Sequence, residues 1–123
     1  MFENLYTKEL QKIKAEYFSI GKIKCPVLND NHVHFNQYGF RHFIRKGKNI
    51  RPVRDQMRRF DLFKYVKDIV CSLETNIMEV RVHKKAEYFA LINKNNHHIK
   101  VIVGQINFGK LFFVSVMDFK KQK

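Results

Sequence analysis

The chain has 123 residues, 45% hydrophobic and 28% charged, which suits a single domain over 1–123 with a core of its own and argues against a disordered chain. Its 24 Lys and Arg against 11 Asp and Glu give a formal net charge of +13 at neutral pH. Such an excess favours a polyanionic partner: nucleic acid first, then an anionic membrane surface or an acidic protein. No apolar run approaches the ~18 residues of a membrane span, and the N-terminus MFENLYTKELQKIK lacks the apolar stretch of a secretion signal. Cys25 and Cys71 stand apart without a C-x-x-C partner, as buried reduced thiols of a cytoplasmic protein would.

In chain order, residues 2–20 predict an amphipathic helix, with Phe2, Leu5, Tyr6, Leu10, Ile13, Tyr17 and Ile20 at three- and four-residue steps. Its charges cancel, Lys8, Lys12 and Lys14 against Glu3, Glu9 and Glu16, and Gly21 fits its stop. Residues 22–35 read as irregular or short-strand, broken by Pro26 and the turn signal Asn29-Asp30-Asn31. A basic helical region follows over 36–73. It begins with a short helix over 36–47 that presents Phe40, Phe43 and Ile44 and stops at Gly47. A long helix over 52–73 then carries Val53, Met57, Phe60, Phe63, Val66, Val70 and Leu73 on one stripe. From residue 77 the period changes to two. Ile77–His83, Glu87–Asn93, Ile99–Asn107 and Leu111–Phe119 predict a sheet over 77–119, with hairpin connections at Asn93-Lys94-Asn95-Asn96 and Asn107-Phe108-Gly109-Lys110. In the last strand Leu111, Phe113, Ser115, Met117 and Phe119 fall on one face and Phe112, Val114 and Val116 on the other. Helices first and consecutive strands afterwards predict an α+β fold, N-terminal helices packed on a four-stranded antiparallel sheet.

The positive charge is clustered. Residues 22–64 hold eleven Lys and Arg against three Asp, and six of the seven Arg lie between positions 41 and 59. A guanidinium matches phosphate geometry bidentately, so this clustering points to a phosphate-binding surface rather than to charge carried for solubility. Arg54 and Arg58 are four apart and share a helix face, with Tyr65 close to the same stripe. Together with Arg41 and Arg45 they form the expected RNA-binding set. The tail Lys120-Lys121-Gln122-Lys123 reads as a frayed end.

The chemistry available is narrow. No P-loop, Rossmann, zincin or nucleophile-elbow motif occurs. His32 and His34 would share one side of a strand and His97 and His98 are adjacent, yet no Cys, Asp or Glu cluster completes a metal set, so neither metal nor cofactor is expected. Paired carboxylates for acid chemistry are missing too, Glu74, Glu79 and Glu87 being isolated. What remains is His among Arg and Lys, which suits RNA cleavage without metal. The substrate brings its own 2′-hydroxyl nucleophile, His moves a proton and Arg stabilises the phosphorane. His42 is the best placed, one helical turn from Arg45 and Lys46. Its apolar flanks fit a core imidazole bonded to backbone equally well. His34 is the second candidate.

The run His34-Phe35, Tyr38-Gly39-Phe40-Arg41-His42-Phe43-Ile44-Arg45-Lys46, then Arg51 and Gln56-x-x-Arg59, with Lys100-Val101-Ile102-Val103 and Phe112-Phe113-Val114-Ser115-Val116 near the end, resembles the barnase–EndoU–colicin–RelE (BECR) nucleases, nearest their phage and polyvalent-protein branch. The resemblance covers residues 32–119. It implies helices before an antiparallel sheet and a metal-independent endoribonuclease of toxin or phage-effector type, acting on tRNA or mRNA, with an acidic antitoxin or immunity protein as the expected partner. It implies His42 as the helix-borne catalytic His, Lys46, Arg51 and Arg59 as the basic positions and Ser115 as the hydroxyl on the last strand. The second His or Arg that some branches place on the last hairpin has no counterpart, since Gln105 and Ser115 stand there beside Lys100, Asn107 and Asp118. The rival expectation is a basic RNA- or DNA-binding module without catalysis.

Overall fold

The computed structural model describes residues 2–96 and 98–118, so the Lys-rich tail, Phe119 and His97 lie outside the described residues. Helix α1 (Phe2–Ile20) has the predicted span and buries Ile13 and Tyr17. Strands β1 (Lys22–Cys25) and β2 (Asn31–His34) follow as an antiparallel hairpin around a 3₁₀ turn at Pro26–Leu28. Helix α2 (Gln37–Ile44) begins at Asn36, whose side chain accepts a hydrogen bond from the Gly39 N–H at 2.8 Å. It ends three residues before the expected stop. Arg45–Lys46 (β3) and Asn49–Ile50 (β4) form a small hairpin instead, and Gly47 supplies the positive φ of +61° in its turn.

The helix expected over 52–73 is two helices, α3 (Val53–Leu62) and α4 (Val66–Cys71), joined by a 3₁₀ turn at Phe63–Tyr65. The tighter turn lets Phe60, Leu62, Phe63, Val66, Ile69 and Val70 all enter the core, while Leu73 lies beyond the last turn and is 88% exposed. Cys25 is buried as expected, and burial pushes its thiol pKa up; Cys71 is exposed, because α4 ends there.

Strands β5 (Thr75–His83), β6 (Ala86–Asn93), β7 (Ile99–Ile106) and β8 (Leu111–Asp118) fall within two residues of their predicted bounds. The architecture is α+β, but the sheet has six strands in the order β1-β2-β8-β7-β6-β5. The expectation of a four-stranded antiparallel sheet is corrected accordingly. β5 to β8 form an antiparallel meander, and the β1–β2 hairpin extends it with β2 parallel to β8. Lys22–Cys25 and Asn31–His34 are only four residues each and flank a proline, too short for a period-two pattern to stand out. A bulge corrects the face assignment in β8. Ser115 pairs with Ile102 and Phe113 with Val103, leaving Val114 unpaired, so Val116 rather than Met117 continues the face of Phe113.

The helices cover one face of the sheet, where Phe113, Val116, Val101, Val103 and Leu91 meet Tyr17, Phe43 and Phe63. Rings dominate the contact, with Phe43–Phe113 centroids 5.2 Å apart and Phe63–Phe113 5.7 Å apart. No helix of the described residues is long and apolar enough to cross a membrane.

β2 pairs with β8 only at Val33–Leu111 and His34–Phe112; the chain then turns away, and α2 runs along the edge of β8 that β2 leaves. Gly39 makes this approach possible. A Cβ there would collide with the Phe113 carbonyl oxygen and come within 2.6 Å of the Tyr17 hydroxyl. Gly39→Ala should therefore destabilise the fold by about 1–3 kcal/mol in chemical denaturation, although alanine is the better helix former by about 1 kcal/mol. Unchanged or increased stability would mean that α2 does not lie against β8.

Candidate nucleic-acid interface

Because Gly39, Phe40 and Phe43 face inward, α2 turns Tyr38, Arg41 and His42 outward, and Arg45 follows at its C-terminal cap. With Gly47 these residues line an open cleft of about 500 Å³. The His42 ring is half-buried, held edge-on by Tyr38 at a centroid distance of 4.7 Å and lying 6.3 Å from the Phe112 ring. Tyr38 in turn packs on Phe112 at 5.0 Å, while 47% of its surface stays exposed. Burial first, and the Arg51 guanidinium second, lower the His42 pKa below the ordinary imidazole value. The imidazole is thus neutral near pH 7 and able to accept a proton. Arg41 makes no ion pair or side-chain hydrogen bond among the described residues, and Arg45 reaches only the Lys48 carbonyl, at 3.5 Å. Both are available to an anion.

The basic positions assigned by resemblance behave differently. Arg51 and Arg59 each retain only 12% side-chain exposure and flank the Asp55 carboxylate, Arg51 Nη1 at 3.6 Å and Arg59 Nε at 3.0 Å. Arg51 Nε donates to the Phe43 carbonyl at 3.2 Å and Nη2 to the His42 carbonyl at 3.5 Å, which fixes the C-terminal turn of α2. Arg59 Nη1 donates to Ser115 Oγ and to the Val116 carbonyl, covering the edge of β8 beyond α2. Gln56, beside them, donates to the Arg51 carbonyl at 2.7 Å and accepts from the Tyr6 hydroxyl at 2.6 Å. The expected catalytic residues Arg51, Arg59 and Ser115 thus belong to an internal network that joins α1, α3 and β8. Ser115 is buried with its hydroxyl engaged, and it does not line the cleft of His42.

Of the expected RNA-binding set, Arg41 and Arg45 line the cleft and Arg54 is exposed without an ion pair among the described residues. Arg58 is held by Asp118 through Nε at 2.8 Å and Nη2 at 2.9 Å. Tyr65 packs half-buried against the core, with Lys64 Nζ 5.2 Å from its ring centre. Lys46 is exposed in the β3 strand beyond the cleft wall.

His34 is not in the cleft of His42, but the two are joined through Phe112. His34 pairs with Phe112 across β2–β8, so both side chains share the face that the helices leave open. His34 lines a second cleft of about 400 Å³ with His32, Gln105, Phe108, Lys110 and Asn31 among its walls. The β1–β2 register sets Lys22 opposite His34 and Lys24 opposite His32, so the hairpin carries two cation–imidazole pairs on one face. Sequence reading found His32 and His34 but missed this ladder and Lys110, because the signal lies in a strand pairing and not in spacing. No group of three or more His, Cys, Asp or Glu among the described residues is gathered closely enough to hold a metal ion.

Comparison with protein-family models, with curated proteins and with solved structures finds no match to this chain.

The internal network gives a direct test of which arginines are structural. Asp55→Ala leaves two nearly buried guanidiniums facing each other and should cost about 1–3 kcal/mol, below the full penalty for breaking a buried pair because Asp55 is itself 39% exposed. Arg58→Ala breaks a solvent-exposed pair and should cost less than Asp55→Ala. Equal losses in urea denaturation would place Asp55 among ordinary surface pairs.

Proposed function

We propose that the protein is an endoribonuclease of BECR type that cleaves RNA without metal at the cleft of His42. The observation that carries this reading is a half-buried imidazole, its pKa lowered by burial and by Arg51, facing an open cleft whose other walls include two arginines with no carboxylate partner among the described residues. A phosphate gripped by Arg41 and Arg45 would bring the neighbouring ribose to His42. The imidazole takes the proton of the 2′-hydroxyl while that oxygen attacks phosphorus. The arginines balance the charge that grows on the non-bridging oxygens, and the 5′-oxygen leaves and receives a proton from the Tyr38 hydroxyl or from water. The products are a 2′,3′-cyclic phosphate and a free 5′-hydroxyl. Helices preceding an antiparallel meander, which BECR nucleases share, also support the reading. An acidic antitoxin or immunity protein would act by occupying the same arginines.

A second reading, RNA binding without cleavage, is favoured by one observation. Ser115, Arg51 and Arg59, three of the residues that the resemblance calls catalytic, are engaged in internal contacts.

His42→Ala should lower cleavage of RNA in EDTA by about 10²–10⁴-fold and leave affinity nearly unchanged, since a neutral ring adds little attraction for phosphate. The acid limb of the pH–rate profile should lie below the ordinary histidine value of about 6.5, because the rate survives acidification until His42 itself is protonated. Stability moves in the matching direction. The unfolded chain binds the proton first, so folding weakens as pH falls from about 6.5 toward the lowered value. Intact RNA after incubation with wild-type protein under all ionic conditions would leave the binding reading in place.

Arg41→Ala combined with Arg45→Ala should reduce the magnitude of the slope of log affinity against log salt by about 1.4, the amount for two phosphate contacts on a single strand. A slope equal to that of the wild type would remove both arginines from the phosphate site.

A further inference from the structure

The second cleft contains a feature that RNA cleavage at His42 leaves unexplained. The β7–β8 connection is a tight turn closed by the Gly109 N–H donating to the Ile106 carbonyl at 2.8 Å. Both central residues have positive φ, Asn107 at 50° and Phe108 at 59°. Such a turn takes Asn readily at its first central position and favours Gly at the second. Here the second is phenylalanine, a ring residue in the left-handed region that non-glycine residues seldom enter. Its side chain gains nothing from the core, for Phe108 is 89% exposed.

The turn is nevertheless held firmly. The Asn107 N–H donates to the Lys85 carbonyl of the neighbouring β5–β6 turn at 2.9 Å, and Gln105 Nε2 donates to the Gly109 carbonyl at 2.8 Å. An unfavourable backbone conformation that is kept rigid and presents an aromatic ring to solvent is the kind of strain found at binding sites. The ring stands at the rim of the cleft that also holds His32, His34 and Lys110. Lys22 and Lys110 add positive potential at His34, whose pKa is lowered by burial first and by these cations next. An aromatic platform beside a cationic groove fits an unpaired base and its phosphate, since every base has a face to stack and the cations follow the backbone. A paired base in a duplex has no free face to offer.

Resting on the nucleic-acid reading above, we propose that Phe108 is the stacking platform of a second subsite, which takes an unpaired base of single-stranded RNA while Lys110 and the His32–His34 pair hold its phosphate. The strand then runs from this subsite to the cleft of Tyr38 and His42, over the side chains that cover the buried Phe112. The substrate is selected as single-stranded.

The test is equilibrium binding of a fluorescent 2′-O-methyl oligoribonucleotide, which lacks the nucleophile for cleavage, measured as a single strand and as a duplex. Phe108→Ala should weaken single-strand binding about 5- to 150-fold, the range for loss of one base–aromatic stack, and leave duplex binding unchanged. Phe108→Tyr should restore affinity. Phe108→Gly should lose affinity while its melting temperature stays at or above that of the wild type, because glycine relaxes the turn. Asn107→Gly, which relaxes the turn and keeps the ring, should bind normally. Unaltered single-strand affinity in Phe108→Ala, or an equal loss for single strand and duplex, overturns the subsite. Phe108-dependent binding together with intact unmodified RNA supports the subsite and overturns cleavage alone. A wild-type protein that binds neither oligonucleotide overturns both.

Discussion

Strand β8 is paired along its β2 side for only two residues, Val33–Leu111 and His34–Phe112, and the arrangement of the helical half follows from how the rest of that edge is covered. Unpaired N–H and C=O groups on a strand edge need partners or shielding from other chains. Gly39 lets the backbone of α2 lie against the edge at Phe113, and Arg59 donates to the Val116 carbonyl further along. Arg58 then meets Asp118 at the strand's end. Once α2 is fixed in this way, its inward side must be Gly39, Phe40 and Phe43, and its outward side must carry Tyr38, Arg41 and His42, with Arg45 at its C-terminal cap. The candidate site is therefore a consequence of edge protection. Had β2 continued alongside β8, α2 would have no groove to occupy and His42 no aromatic seat on Phe112.

The same constraint divides the arginines. Those that face β8 or the α2–α3 junction are tethered: Arg51 by two carbonyls and Asp55, Arg59 by Asp55, Ser115 and Val116, Arg58 by Asp118. Those on the outward side of α2, at its C-terminal cap and at the start of α3, Arg41, Arg45 and Arg54, have no carboxylate among the described residues. A tethered guanidinium can tune a neighbour, as Arg51 adds to the effect of burial in lowering the pKa of His42, but gripping an incoming phosphate would require it to give up contacts already made. A free one is mobile enough to grip. Clustering in sequence does not separate the two classes, since all six lie within nineteen consecutive positions, 41 to 59.

That division also marks how far the sequence could be read. Period-two runs long enough to alternate several times, such as Glu87–Asn93 and Leu111–Phe119, gave strand bounds that the structure keeps within two residues. The stripe over 2–20 likewise became α1. Helix stops were less legible. A 3₁₀ turn at Phe63–Tyr65 preserves apolar residues at three-residue spacing and so looks like continued helix, while β3–β4 depends on a turn at Gly47 that read equally well as a helix stop. His42 stood out because its basic neighbours are local in the chain. The role of Arg59 did not, because its partners Ser115 and Val116 are more than fifty residues away. The β1–β2 ladder escaped notice for a third reason: Lys22, Lys24, His32 and His34 are ordinary polar residues until two four-residue strands bring them into register.

Two kinds of local cost stand on the open face of the molecule, and their positions are informative. Burying half of His42 beside Arg51 disfavours its charged form, and holding Phe108 at φ 59° disfavours its backbone by roughly 1–2 kcal/mol relative to glycine. Neither contributes to the core. Phe108 points into solvent, and His42 is not one of the residues of the core. Phe112 lies between them, paired with His34 on one side and in ring contact with Tyr38 and His42 on the other. Gly104, opposite Phe112 on β7, leaves room for that ring, since a Cβ there would approach Phe112 Cζ to 2.7 Å. The ring thereby lies over Gly104 of β7, with His34 paired beside it, His42 in contact with it and a cleft beyond each imidazole. A chain selected only for stability would relax both costs by single substitutions, Phe108 to glycine and His42 to an aliphatic residue. Their joint presence in two clefts on one side of the sheet, with the buried Phe112 ring packed between them, is what makes a single extended ligand a better account than two unrelated defects.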